Sequence, residues 1–206
     1  MFTGLVETLG TVAAAHPDSD ETGRWLEINA PFVPELSVGE SVSVNGTCLT
    51  VVKILADHFA AQLSPTTLAL TTLKELVVGA PVNLERSVTP ATRLGGHWVL
   101  GHVDTVGVVE RIQHDGDSHH VSITYPAQYQ RWLLPQGSLT IDGISLTLVG
   151  RSASQCQVTI IPHTWNHTIA NRWNIGTKVN LEFDVLGKYV EQLLAPYQDH
   201  TGGLLR

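Results

Sequence analysis

The chain has 206 residues, 43% of them hydrophobic and 15% charged, a balance that suits two small globular domains and is too apolar for disorder. A net charge of −7 without a basic run argues against a nucleic-acid surface, and no apolar run approaches the roughly 18 residues that a membrane helix needs. Met1-Phe2-Thr3-Gly4 has no basic leader character, so Cys48 and Cys156 are expected as free thiols in a reducing cytoplasm. The expected partner is a small molecule or another copy of the chain.

Strand signals dominate the chain. Pro31–Leu36 carries a weak short-helix pattern. Ser41–Val44 alternates small or polar with apolar residues and runs into Asn45-Gly46, a dipeptide that tolerates the positive φ of a tight hairpin; Leu49–Ile54 follows as a strand. Ser64 before Pro65 is an N-cap with proline at the first helical position, opening a short helix through Leu73. Arg93-Leu94-Gly95-Gly96 is the expected linker, because no helix start follows it to make a phosphate cradle. His114, His119 and His120 lie in a polar, glycine-containing stretch and are expected in a solvated loop. Ala127–Leu134 reads as a short helix, Ser138–Ile141 with Asp142-Gly143 and Leu146–Val149 as a second hairpin, and Cys156–Ile161 as a strand before Pro162 opens another helix. Leu186, Tyr189, Val190, Leu193 and Leu194 fall at i, i+3, i+4, i+7 and i+8, an amphipathic helix with an apolar stripe. Closed barrels leave that stripe little to pack on, which favours other subunits as its cover. The tail after Tyr197 is expected to fray.

The chain also repeats itself at a shift of 97 positions. Gly4-Leu5-Val6-Glu7 falls on Gly101-His102-Val103-Asp104, and Asn45-Gly46-Thr47-Cys48-Leu49-Thr50 on Asp142-Gly143-Ile144-Ser145-Leu146-Thr147. Ser64-Pro65-Thr66-Thr67 falls on Ile161-Pro162-His163-Thr164, and Val82-Asn83-Leu84-Glu85 on Val179-Asn180-Leu181-Glu182. Two copies are too few for a solenoid, so the pattern means a duplicated unit, with a small closed β-barrel in each half. Two similar pockets suit two similar molecules, and the positions where the halves differ, Cys48 against Ser145 and Leu5 against His102, become candidates for different chemical roles. His97, His102 and Asp104 do not make a metal set, because i, i+5 spacing on a strand points side chains to opposite faces. Cys156 aligns with Phe59, an apolar position, and belongs in the core.

Met1-Phe2-Thr3-Gly4-Leu5-Val6-Glu7, Val44–Val51, Gly95-Gly96-His97 with Gly101–Asp104, Ile141–Thr147, Ile161–Thr164 and Lys188-Tyr189-Val190-Glu191 together resemble the riboflavin synthase family, in order along nearly the whole chain. The resemblance implies an all-β fold: tandem duplicated six-stranded Greek-key barrels over residues 1–96 and 97–185, then a C-terminal helix and tail over 186–206 that gather three chains into a homotrimer. It implies a cofactor-free dismutation in which two 6,7-dimethyl-8-ribityllumazine molecules exchange a four-carbon unit, giving riboflavin and 5-amino-6-ribitylaminouracil. Association with a lumazine synthase is left open. Carried over by position, Ser145, His102, Cys48, Phe2 and Asp184 form the catalytic set, with His97 and Asp142 in support; a histidine such as His102 suits removal of the acidic 7-methyl proton. Gly4, Leu5, Val6, Cys48, Leu49, Thr50, Gln62, Leu63, Ser64, Pro65, Thr66 and Thr67 should line the N-terminal pocket, joined in the site by Ser41. Gly101, His102, Val103, Ser145, Leu146, Thr147, Thr159, Ile160, Ile161, Pro162, His163 and Thr164 should line the C-terminal pocket, and Gln136 belongs to the site as well. The family usually has Glu at Thr66 and Lys at Gln136, departures that bear on affinity more than on chemistry. The alternative is a non-catalytic lumazine- or flavin-binding antenna of the lumazine-protein type; the joint presence of His97, His102, Ser145 and Cys48 favours the enzyme.

Overall fold

In the computed structural model, which describes residues 1–17 and 22–198, the strands of the first half are β1 (Thr8–Pro17), β2 (Arg24–Asn29), β3 (Ser41–Val44), β4 (Thr47–Thr50), β5 (Lys53–Ile54), β6 (His58–Leu63) and β7 (Pro81–Arg86). Those of the second are β8 (Thr105–Asp115), β9 (Ser118–Thr124), β10 (Ser138–Ile141), β11 (Ile144–Arg151), β12 (Gln155–Ile160) and β13 (Lys178–Phe183). Helices α1 (Pro65–Leu70) and α2 (Pro162–His167) sit at equivalent places, and α3 (Val185–Gln198) ends the described chain.

Both short hairpins form as their dipeptides require: Asn45 and Asp142 each adopt φ 46°, and Gly46 and Gly143 follow at 78° and 81°. The register then pairs Ser43 with Cys48 and Thr140 with Ser145. The second half closes as a six-stranded barrel in the order β10-β11-β12-β9-β8-β13. The first half departs from the expected closed six-stranded barrel: its hydrogen bonds form a seven-stranded sheet in the order β4-β3-β7-β1-β2-β6-β5, a barrel left open between β4 and β5, which stand where the second half has the unbroken β11. The interruption falls at Val51-Val52, where β11 carries a bulge between Leu148 and Gly150. Alternate side chains fill each interior. Leu26, Ile28, Val42, Phe59 and Leu84 are fully buried in the first, and Ile123, Leu139, Ile141, Val158 and Phe183 in the second, each contributing roughly 1.5–3 kcal/mol of burial. Cys156 is in the second core, where burial pushes its thiol up to about 12, and both cysteines are free.

Several local expectations change. Val33–Glu35 and Ala127–Trp132 are 3-10 turns rather than α-helices. Helix α1 stops at Leu70, short of Leu73, because Thr71 turns extended and its hydroxyl caps the following 3-10 turn, Thr72–Glu75, by accepting from Leu73 N–H. His114, His119 and His120 are not loop residues: β8 and β9 stay paired out to Asp115 and Ser118, and His119 is buried with its ring stacked 3.7 Å from Trp165 of α2.

Helix α3 turns its polar side to its own barrel. Lys188 Nζ lies 2.6 Å from Asp104, and Glu191 pairs with Arg131 and accepts from the Trp132 indole. Leu186, Tyr189, Val190, Leu193 and Leu194 face outward, each about half exposed or more. The expected frayed end, 199–206, lies outside the described residues. Among the described residues no helix is long and apolar enough to cross a membrane.

Candidate functional site

The two barrels meet across a local twofold axis that the duplication predicts but no single motif reveals. A methyl group on Gly46 would stand 2.7 Å from Gly143 N, and one on Gly143 2.8 Å from Gly46 N, so only hydrogen at both positions permits this approach. Asn83 donates to Asp142 O and Asn180 to Asn45 O, both at 2.8 Å. The same amides accept, at 2.8 Å, from Ile169 N–H and Thr72 N–H. Each bond has its mirror in the other half.

The segments leading into β1 and β8 run antiparallel between the barrels, joined where Phe2 N–H donates to Val99 O at 2.7 Å and Val99 N–H returns to Phe2 O. Glu85 accepts from Thr3 N–H and Gly4 N–H, and Glu182 from Leu100 N–H and Gly101 N–H. Burial raises the pKa of both carboxyls, and these backbone bonds oppose the rise. The segments then cross. Ser145 N–H donates to Gly4 O and Cys48 N–H to Gly101 O, each at 2.8 Å. Both glycines have positive φ, and a methyl on either would stand 2.6 Å from the Cβ of Ser145 or Cys48 respectively. This corrects the expected grouping by half. Gly4 serves the Ser145 side and Gly101 the Cys48 side, and Val6 packs against the second core. Phe2, fully buried, lies under Gly101, where a methyl would stand 2.9 Å from its ring.

Here the symmetry ends. His97 Nδ1 lies 2.7 Å from Ser145 Oγ, and its Nε2 lies 3.1 Å from Thr140 Oγ1. With Nε2–H donated to Thr140, Nδ1 is left to accept the Ser145 hydroxyl proton. His97 is buried, and that burial lowers its pKa against the opposing charge of Asp184, so the neutral ring persists below the usual histidine range. Asp184 itself starts α3, accepting from Leu186 N–H at 3.0 Å. Cys48 has Ser43 as its cross-strand neighbour instead of a threonine, and His102, next in sequence to the Gly101 whose carbonyl accepts from Cys48 N–H, is exposed. Thr140 escaped the sequence reading; its cross-strand pairing with Ser145 was the available signal.

The remaining candidates divide by the two-residue period of a strand. Ser41, Cys48, Thr50 and Gln62 reach the outer face of the first barrel, and Ser145, Thr147, Thr159 and Ile161 that of the second. Leu49, Leu63, Leu146 and Ile160 point into the cores and offer a ligand only their backbone. Asp142 is also interior: it accepts from Asn180 N–H and the Trp173 indole, and burial pushes its carboxyl up to about 7. Its task is the turn, not the ligand face. Ser64 caps α1 by accepting from Thr67 N–H, with Pro65 at the first helical position and Thr66 exposed. At the second helix, Ile161 gives no side-chain cap, Pro162 and His163 are exposed, and the Thr164 carbonyl accepts from Thr168. Leu5 is half exposed and Val103 partly buried on the crossing segments. Gln136, at φ 60°, borders a hollow of about 250 Å³ beside Leu148 and Arg151.

The family model described as lumazine binding domain matches the chain twice, over residues 3–87 and 100–184. The chain is 43% identical over 203 residues to the riboflavin synthase of Mycobacterium tuberculosis, covering 94% of this chain and 98% of that one. It is 38% identical to the riboflavin synthase of Photobacterium phosphoreum and 34% to that of Bacillus subtilis, over 94% of this chain and 89% or 90% of theirs. Among solved structures, LumP complexed with riboflavin superposes with a TM-score of 0.82 and 25% identity, covering 89% of this chain and 99% of that one. LumP complexed with 6,7-dimethyl-8-(1'-D-ribityl) lumazine superposes with a TM-score of 0.79 at the same identity and coverage.

Proposed function

The chain belongs to the riboflavin synthase family, and we propose that it carries out that family's reaction with the Ser145–His97 pair as its proton-transfer device. Two molecules of 6,7-dimethyl-8-ribityllumazine go in; riboflavin and 5-amino-6-ribitylaminouracil come out. The balance closes without an oxidant or reductant. Two C–C bonds join the methyl carbons of the acceptor to C6 and C7 of the donor, and the donor's two bonds from those carbons to nitrogen break. The four hydrogens lost from the acceptor's methyl groups are the four that the released diaminouracil gains.

The observation that carries the assignment is the 2.7 Å contact between Ser145 Oγ and a buried, neutral His97 whose other nitrogen is fixed by Thr140. A neutral imidazole can take the hydroxyl proton as Ser145 removes one from the 7-methyl group, and burial keeps it available. Cys48, and His102 next to the Gly101 that accepts from Cys48 N–H, serve the second ligand in this reading. Holding two rings in register supplies the proximity that two dilute molecules lack, on the order of several kcal/mol.

Residues 1–96 and 97–185 are the two ligand-holding units in this reading. The outward stripe of α3 gathers three chains, so that the first barrel of one protomer faces the second barrel of its partner, in the cytoplasm. The test is incubation of the full chain with 6,7-dimethyl-8-ribityllumazine alone, in the presence of a chelator. Riboflavin should appear at one per two lumazines consumed, with an equal amount of the diaminouracil. Tight lumazine binding without riboflavin would assign the antenna reading that the LumP likeness carries.

A further inference from the structure

Thr159 lies on the outer face of β12, directly across from His120 of β9. Its hydroxyl is 2.9 Å from His120 Nδ1, and His120 Nε2 is 3.0 Å from Asp115 Oδ2 on β8. The carboxylate, mostly exposed and acceptor-only when ionised, requires the hydrogen on Nε2. A neutral ring then presents a lone pair at Nδ1, and the Thr159 hydroxyl must spend its hydrogen there. What remains for a ligand is the oxygen's lone pairs.

The ligand face is adjacent. Leu148 pairs with Val158, so one residue back on β11 and one forward on β12 set Thr147 beside Thr159, on the strand that carries Ser145. The duplicated position in the first barrel differs in residue type, since Gln62, an amide rather than a hydroxyl, lies across from Trp25, whose indole has one ring nitrogen where His120 has two. One ancestral site has thus acquired two hydrogen-bonding characters.

We propose that Asp115 and His120 are positioning residues that lock the Thr159 hydroxyl as a hydrogen-bond acceptor, so that the second barrel takes an N–H or O–H donor of its ligand at that point. This rests on the lumazine reading above. In a ribityllumazine the donors are the imide N3–H and the ribityl hydroxyls.

The experiment titrates the full chain with three ligands: 6,7-dimethyl-8-ribityllumazine, its N3-methyl derivative, and the 8-methyl analogue that lacks the ribityl chain. If the imide is the donor, N3-methylation should weaken one of the two sites about tenfold and leave the other unchanged. Thr159→Val should erase that discrimination and Thr159→Ser should keep it. His120→Phe and Asp115→Ala should reduce it to about threefold or less, because the freed hydroxyl can then rotate to either role. In turnover, both should raise KM with little change in kcat. If discrimination instead follows loss of the ribityl chain and responds to the same variants, the donor is a ribityl hydroxyl and the acceptor assignment stands. Wild-type ligand ratios in Thr159→Val, His120→Phe and Asp115→Ala, or equal losses at both sites, would overturn the proposal. A wild-type chain that bound none of the three would sink the lumazine reading itself.

Discussion

The two barrels share a design and differ at one decisive point. Gly4 and Gly101 have matching φ, their carbonyls accept at the same distance, and each leaves the same gap to the side chain it faces. Yet Ser145 meets a buried imidazole held by Thr140, while Cys48 pairs across the strands with Ser43. Duplication has preserved the backbone cradle and let the side chains diverge. The lesson is that the twofold symmetry repeats one backbone cradle, and its breaking gives the two copies different side-chain chemistry.

The glycine pair gives the largest test of that division. Gly4→Ala and Gly101→Ala each push a methyl into a 2.6 Å gap at a positive φ, and each should cost about 2–4 kcal/mol in denaturant unfolding. Stability should fall equally, but activity should not. Displacing Ser145 should cut kcat about a hundredfold or more, whereas displacing Cys48 should act mainly on KM. Equal kinetic losses would erase the distinction between the halves.

A second test exploits the turns. Asn45 and Asp142 occupy one repeat position and both accept a backbone N–H, from Asn83 and Asn180. Only Asp142 also accepts from a tryptophan, Trp173, where the first half has Leu76. Asp142→Asn should therefore turn an amide N–H toward the indole N–H and cost about 2 kcal/mol. Trp173→Leu in the same chain removes the opposed donor and should recover part of that loss, visible as a non-additive double-mutant cycle in thermal unfolding. Additive losses would mean the carboxylate is not tied to the indole.

The smallest effect is a pH limb. Burial lowers the His97 pKa from its ordinary 6.5, so the neutral ring that the proton transfer needs persists below pH 6.5. The acid limb of kcat should lie below that value, and His97→Gln should remove it. The same shift has a stability consequence of definite sign. Between the ordinary and the lowered value the unfolded chain binds the extra proton and the folded chain does not, so stability is full above pH 6.5 and declines as the pH falls through that window. A limb at or above 6.5 would mean that His97 is not the titrating group.

Much of this is legible in the sequence. The repeat fixed the barrel pair because hairpin dipeptides and alternating strands are local signals, and the stripe of α3 is read from its spacing alone. The crossing of Gly4 to Ser145 and Gly101 to Cys48 was not legible, since it depends on where a connecting segment lies in space, and an internal repeat reports only equivalence. His119 and His120 were misread because polar residues near a glycine look like a loop until the pairing of Asp115 with Ser118 extends the strands. Asp142 shows the converse: a carboxylate in a matching motif that burial turns into a structural group.

The most direct measurement compares Ser145→Ala with Cys48→Ala in single-turnover riboflavin formation at saturating 6,7-dimethyl-8-ribityllumazine, with ligand stoichiometry measured on the same samples. Both variants should still bind two lumazines per chain. The account predicts that Ser145→Ala slows the chemical step about a hundredfold or more and that Cys48→Ala slows it by less than about tenfold. Equal slowing, or a greater loss at Cys48, would contradict the claim that proton transfer resides in the second barrel's serine and its buried histidine.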